Sequence, residues 1–350
     1  MKLAFILGKY LPGRCGVSDY VSLLSTKLEN WGHECQRISI EPSSTSSFSS
    51  LANNLPEVDL ISLQFAPYAF SPNGLSGSSL LKFGRAVRNR KLQVMFHEIW
   101  IGAYPSAKWK ERWQGGRQKR EILRFLDHAQ PQSIHSTNCA ALDRLSKVGV
   151  DAQHLYLFGN IPHSPLEESA VRRAEDNELK VAFFGTLYDS FPYPLLSEQL
   201  LAVSKTTKQT VRLLILGRHR EQGGLKALQD EADKHDFQLE ATGELNPESL
   251  SRHLQESALG VSTTPFDIMG KSGATAAMLE HGLTVLAYDD GDTPSGRLFV
   301  FERFREQVIL LNDPSLSVKL TECMAKPRPT FFDGIEHTAR EMLKSLPVNS

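Results

Sequence analysis

Cysteine is scarce in this 350-residue chain: it has four, Cys15, Cys35, Cys139 and Cys323. None form a C-x-x-C pair, so their spacing suggests neither a metal site nor a disulfide framework. Reduced thiols in a cytosolic protein are the simplest reading. No apolar run reaches the ~18 residues that a bilayer span requires. The opening Met1–Gly8 is apolar too briefly for a signal h-region and has no cleavage pattern after it. Net charge is nearly absent, at −1. Several signatures of common enzymes are also missing. Gly8, Gly13 and Gly16 have the wrong spacing for a dinucleotide fingerprint. Gly270-Lys271-Ser272 looks like the end of a phosphate loop, but Pro265 occupies the place of the required glycine. His97-Glu98 is not followed by the second histidine of a zinc protease. No G-x-S-x-G elbow occurs.

What is present is ordinary globular composition, 41% hydrophobic and 23% charged. The length favours two domains, since single cores rarely grow past ~250–300 residues. The small net charge hides an asymmetry. Residues 1–165 carry 19 Lys and Arg against 12 Asp and Glu, whereas residues 166–350 carry 20 against 28. A basic first half points to an anionic partner such as a membrane surface, a phosphorylated lipid or a nucleic acid.

Strand-like apolar runs alternate with helical patterns. Strands are expected at Leu3–Leu7, Cys35–Ile40, Asp59–Phe65 and Leu92–Phe96, and less strongly at Ser133–His135 and His154–Leu157. A helix is expected at Val17–Trp31, with Gly32 as its stop, and a Ser-rich loop at Pro42–Ser50. The two prolines of Gly159–Pro165 and the charged Glu167–Glu178 mark a linker. The alternation then restarts with strands at Lys180–Phe184, Val211–Leu216, Gln238–Ala241, Leu259–Ser262, Thr284–Ala287 and Gln307–Leu311. Helices are expected near Leu195–Ser204, Leu225–His235, Pro247–Glu256, Ser272–His281, Gly296–Arg303 and Ile335–Leu346. Such alternation implies parallel sheets covered by helices on both faces, an α/β architecture. Ligands of open parallel sheets bind at the carboxyl ends of the strands.

Three segments lie where such ligands bind. Pro12–Tyr20 follows the first strand and opens the first helix. Its glycines allow close approach of a ligand, and Arg14 adds a planar donor fork. Phe96-His97-Glu98-Ile99-Trp100 ends a buried strand. There His97 is suited to a sugar hydroxyl or to proton transfer, and Trp100 offers an apolar face. Thr264–Thr275 joins a strand to a helix. Its small residues let a diphosphate reach the first helical amides, with Lys271 for the charge and Ser272 for a hydroxyl. Ser272 would serve equally well as a simple N-cap. Weaker candidates are the strand-ending glycines of Phe183–Leu187, Leu216–Arg220 and Thr242–Leu245. A basic and aromatic stretch, Lys108–Arg124, is interrupted by Gly115-Gly116. It suits an anionic membrane surface or a phosphorylated acceptor, although a solvated helix face accounts for it more simply.

Taken in order, these segments resemble the GT-B glycosyltransferases, in particular the retaining family 4 group. Gly16–Tyr20 is similar to that group's acceptor-side loop, and Phe96–Trp100 to its histidine-bearing strand end. Leu157–Pro162 resembles its approach to the linker, Phe184–Leu187 the opening of its donor domain, and Leu254–Ala287 its nucleotide-sugar region. The resemblance implies two facing Rossmann-like domains with an interdomain cleft. They would be an acceptor-side domain at 1–165 and a nucleotide-sugar domain at 166–332. A terminal helix at 333–350 would pack back toward the first domain. It implies metal-independent transfer of a sugar from a UDP or GDP sugar to a glycan, glycolipid or small-molecule hydroxyl, with retention, and without a cofactor. His97 and Lys271 take the catalytic roles. Gly16, Gly185, Thr186, Arg218, Gly243, Glu244, Asp267, Gly270, Ser272, Gly273, Ala274 and Thr275 line the donor. Arg14, Val17, Asp19, Glu98 and Trp100 border the acceptor.

Two positions depart from the family pattern. Met269 and Ala277 stand where its paired glutamates stand, and Tyr188–Pro192 replaces its Arg and Lys pair. A sugar-nucleotide epimerase, or a degenerate subunit that binds a nucleotide or a partner protein, are the alternatives. Polysaccharide biosynthesis in the cytoplasm, peripheral to the inner membrane face and without nucleic acid, is the expected setting.

Overall fold

The computed structural model describes residues 1–41, 47–104, 107–165, 177–218, 223–291 and 302–344. Two compact units emerge from the chain's own contacts. The first comprises Met1–Thr137, Ala141–Leu155 and the chain from Ile335, and the second comprises Asn138–Ala140 and Tyr156–Gly334.

The first unit is a parallel sheet of six strands: β1 (Lys2–Leu7), β2 (Glu34–Ser39), β3 (Leu60–Phe65), β4 (Leu92–Phe96), β5 (Ser133–Ser136) and β6 (Gln153–His154). Their order is β2-β1-β3-β4-β5-β6. The chain leaves β1 toward one edge and returns on its other side at β3, so the topological switch lies between these two strands. One face of the sheet is apolar. Ile61, Leu63, Phe65, Val94 and Phe96 pack there with Phe48, Phe70, Phe83 and Phe125 from the covering helices. The helix Gly334–Lys344 is tied to the helix Gly16–Asn30 by an ion pair of 3.0 Å between Lys27 and Glu336 and by Arg340 lying 5.0 Å over the Trp31 ring.

Two expectations fail in this unit. The stretch Pro42–Ser50 is not wholly loop, because Ser47–Asn53 is helical. Phe48 is buried against Phe70 and Phe83, and that burial outweighs the weak helix propensity of serine. Nor do Gly115 and Gly116 interrupt the basic stretch. Trp109–Ala129 is one helix, and Gly115 lies where the Ile101 carbonyl leaves no room for a side chain.

The second unit repeats the plan. It contains β7 (Glu178–Phe184), β8 (Thr210–Leu216), β9 (Gln238–Ala241), β10 (Leu259–Val261), β11 (Thr284–Ala287) and β12 (Val308–Leu310). These pair in parallel in the order β12-β11-β10-β7-β8-β9, which puts the switch between β7 and β10. Leu179, Val181, Phe183, Leu213 and Ile215 form its core with Leu196, Leu200 and Leu228 of the covering helices. Most of the proposed linker and of the helix expected near Gly296–Arg303 lies outside the described residues, as do His219, Arg220, Ser345 and Leu346. No helix among the described residues is long and apolar enough to cross a membrane.

Candidate functional site

In the second unit the switch between β7 and β10 is built from small and hydroxyl-bearing residues. Gly185 follows β7 with φ +94, a conformation that favours glycine. A Cβ at Gly185 would lie 2.8 Å from the Cβ of Ala274, so glycine lets the helix Gly273–Glu280 start against the strand end. Hydroxyls lock the corner. Thr263 donates to the Thr186 carbonyl at 2.6 Å and accepts from the Tyr188 amide at 3.1 Å. Ser262 and Thr275 share a hydrogen bond of 2.7 Å.

Ser272 is the N-cap of that helix. Its Oγ accepts from the Thr275 amide at 3.2 Å and from the Thr275 hydroxyl at 2.9 Å. Both bonds use Ser272 as acceptor, so its own hydroxyl hydrogen is not spent in them. The amides of Gly273 and Ala274 take no protein acceptor among the described residues. Lys271 ends the preceding turn of 3-10 helix, Phe266–Lys271, and is exposed. The corner therefore presents two open amides and a hydroxyl at a helix N-terminus, with an exposed lysine one residue before the cap, a combination suited to an anion.

The remaining donor-side candidates divide. Thr275 is buried, with both its amide and its hydroxyl engaged within the corner. Gly270 is buried and Asp267 is half-buried in the preceding turn. Arg218, Gly243 and Glu244 gather at the carboxyl ends of β8 and β9. Arg218 and Glu244 form an exposed ion pair of 2.8 Å, and Gly217 bridges Gly243.

Where the resembled family has its second glutamate, Ala277 is wholly buried. A Cβ on Gly159 would fall 2.6 Å from the Ala277 Cα, so the two stretches of backbone approach closely there. Glu280 does not replace that glutamate. Its Oε1 accepts from the Tyr156 hydroxyl and the Gly159 amide, each at 2.9 Å. Burial is the largest influence on this carboxyl and pushes it up to about 8. Asp189, in the segment replacing the family's Arg and Lys pair, accepts from the Gly224 amide at 2.7 Å, at the start of the helix Gly223–His235.

In the first unit the loop after β1 is held by its own side chains. Ser18 accepts from the Leu11 amide at 2.9 Å, and Asp19 accepts from the Gly13 amide at 2.6 Å. One oxygen of the Asp19 carboxylate thus shapes the loop, and the residue is half-exposed. Gly16, Val17 and Ser18 open the following helix with amides that have no protein acceptor among the described residues, and Cys15 gives no side-chain cap. Arg14 is exposed, with no ion pair among the described residues.

His97 sits at the carboxyl end of β4, only 8% exposed. Its amide donates to the Phe65 carbonyl, its Nε2 lies 2.8 Å from the Gln64 Oε1, and the Tyr20 ring meets it edge-on at 5.2 Å. Burial lowers its pKa to about 4, so it is neutral near pH 7. Glu98 is exposed beside it. Trp100, expected to offer an apolar face, is 8% exposed and packs with the apolar core.

The interior strands also hold polar side chains not singled out from the sequence. Ser62, Gln64, Gln93 and His135 are all buried and joined by hydrogen bonds. Polar residues set two apart inside an otherwise apolar strand were the available signal, because a buried polar group must find a partner.

No protein-family model and no curated protein matches this sequence. Solved structures do match its fold. An alpha-glucosyltransferase in complex with UDP aligns with a TM-score of 0.53 and 9% identity, covering 98% of this chain and 94% of its own. Anabaena HepE in complex with UDP and glucose aligns at 0.53 and 15% identity, covering 99% and 100%. Sucrose-phosphate synthase from Thermosynechococcus elongatus aligns at 0.55 and 11% identity, covering 97% and 94%. The fold is that of the GT-B glycosyltransferases.

Proposed function

We propose that the chain is a glycosyltransferase that takes its sugar from a nucleoside diphosphate sugar. The observation that carries this reading is the corner at Gly185, Ser272, Gly273 and Ala274. Open helix amides stand there beside an exposed Lys271, at the switch point of a parallel sheet. The diphosphate binds at those amides. Lys271 and the helix dipole, rather than a metal ion, offset the charge that grows on it as it leaves. Arg218, Gly243 and Glu244 border the nucleoside. The family resemblance assigns His97 to the transferred sugar and Arg14 to the acceptor. In the reaction the acceptor hydroxyl oxygen bonds to the anomeric carbon as the bond from that carbon to the diphosphate oxygen breaks. The acceptor's proton passes to the departing phosphate. The family resemblance favours transfer with retention to a glycan, glycolipid or small-molecule hydroxyl, in polysaccharide assembly on the cytoplasmic side of a membrane. UDP sugars are the first donors to test, because proteins of similar fold hold UDP. The exposed rings of Trp109 and Trp113, with Arg117, Arg120 and Arg124 on the same helix, fit peripheral contact with an anionic membrane.

Isothermal titration with UDP, GDP and ADP sugars tests the donor. Saturable binding of one of them, with sugar transferred to an added acceptor, is the expected outcome, and heat from none would reject the reading. Burial of Ala277 under Gly159 favours one rival, a subunit that binds a nucleotide without transferring sugar. It would show donor binding with no product.

A further inference from the structure

The face of the first sheet opposite its apolar core carries a continuous polar line. Side chains alternate along a strand, so Ser62 and Gln64 of β3 emerge on one face. The parallel register sets Ser62 beside Gln93 and Gln64 beside Met95, which in turn stands beside His135 of β5. Ser62, Gln64, Gln93, His97 and His135 are therefore neighbours on a single buried surface.

The bonds among them run one way. His97 Nε2 lies 2.8 Å from Gln64 Oε1, an atom that can only accept, so the histidine is the donor. Gln64 Nε2 donates to Ser62 Oγ at 2.8 Å. Ser62 Oγ donates to Gln93 Oε1 at 2.8 Å. Gln93 Nε2 donates to His135 Nδ1 at 3.2 Å. Each member's donor is matched to the next member's acceptor. Ser62 Oγ accepts from Gln64 and donates to Gln93, and so links the two amides.

We propose that Gln64 is a positioning residue for His97. Its amide, oriented by donating Nε2 to Ser62, turns Oε1 to the ring and holds His97 as the Nε2–H tautomer with its lone pair at Nδ1. Which ring nitrogen of a histidine carries the proton is set by the partner of the other. With Nε2 committed to Gln64, His97 offers a substrate hydroxyl an acceptor at Nδ1 and has no proton to give. It therefore orients a sugar and is not a general acid. The effect on turnover rests on the reading of His97 as the group that meets the transferred sugar. The tautomer itself does not depend on that reading.

The test is nitrogen NMR on full-length protein with labelled histidines. The expected result for His97 is a protonated-type signal at Nε2 and an unprotonated-type signal at Nδ1. The reverse assignment, or two equally populated tautomers, would overturn the proposal even if sugar transfer is active. Gln64→Leu removes the acceptor and should give mixed tautomers with turnover lowered about tenfold, the worth of one aligned hydrogen bond. Gln64→Glu keeps an acceptor for His97 but no donor for Ser62, and should retain the proton at Nε2 of His97. If Gln64→Leu does not fold, the wild-type and Gln64→Glu spectra still decide the matter. Were no donor ever bound while the tautomer proved as stated, the transferase reading would fall and the role of Gln64 in setting the His97 tautomer would stand.

Discussion

Lys271 and Glu280 stand at opposite ends of one short helix and illustrate two uses of charge. Lys271 is exposed beside amides that have no protein acceptor among the described residues. Removing it by Lys271→Ala should weaken donor binding by roughly tenfold or more, since a hydrogen bond to a charged group contributes ~1.5–3 kcal/mol. Titration calorimetry reads this directly, and unchanged donor affinity would remove Lys271 from the site. Glu280 is buried, and its carboxyl is raised to about 8 by that burial. Its folded form thus keeps a proton that the unfolded chain loses near pH 4.5. The stability it contributes is complete below that pH and is lost as pH rises through about 8. Glu280→Gln keeps an acceptor for Tyr156 and Gly159 without the ionisation. Melting curves across about pH 5–9 should show the variant gaining on the wild type as pH rises. A constant difference would argue against a raised carboxyl.

At the scale of elements, the helix Trp109–Ala129 shows what periodicity adds to composition. At about 100° per residue, Trp109, Trp113, Arg117, Arg120 and Arg124 fall within about 80° of arc. Trp109 and Trp113 are 73% and 61% exposed, and the Arg117 guanidinium lies 4.9 Å over the Trp113 ring. The three arginines border a groove of about 720 Å³ shared with Glu121 and the Ser76–Ser79 turn. Arg112, by contrast, donates to the Ala107 carbonyl, and Lys119 lies over Trp100. Replacing Arg117, Arg120 and Arg124 by Ser should therefore lower co-sedimentation with anionic vesicles, more at low salt than at high. Neutralising Arg112 and Lys119 should matter less. Equal sedimentation of wild type and the triple variant would reject the membrane contact.

The same helix shows what the sequence concealed. Gly115-Gly116 reads as a break by propensity, yet the helix runs through it because Gly115 must pass the Ile101 carbonyl. The end of the expected loop Pro42–Ser50 joins the helix Ser47–Asn53 because Phe48 is drawn into the core. Elements whose hydrophobic period and flanking residues agree were legible with their boundaries: Gln238–Ala241, Pro247–Glu256 and Thr284–Ala287. In the candidate site, Ser272 at a helix start was legible from local sequence. The close approach of Ala277 to Gly159, 118 positions away, was not.

Across the whole molecule, buried histidine shapes the response to acid. Burial lowers His97, His135, His154 and His281 each to about 4, against an ordinary value of 6.5. A group depressed in the folded state contributes stability above its unfolded value, which is lost as pH falls through the folded one. Stability should therefore fall between about pH 6.5 and 4, with uptake of protons on unfolding. Calorimetry in buffers of different ionisation heat measures that uptake. His154→Asn should reduce it by about one proton, and an unchanged uptake would show that His154 is not held neutral.

The amino-acid order by itself determined the alternation of strand and helix, and with it two parallel α/β sheets, because hydrophobic period and turn residues act over a few neighbours. It also placed Ser272, Gly273 and Lys271 at the start of a helix, a local matter of capping. Only tertiary structure decided that Trp100 packs with the core, that Asp19 shapes its loop and Thr275 is engaged within its corner, and that His97 stands at the head of a polar line reaching β5. Those outcomes turn on which distant strands become neighbours and in which register. That is set by packing and hydrogen-bond satisfaction over the whole sheet, which no short window of sequence contains.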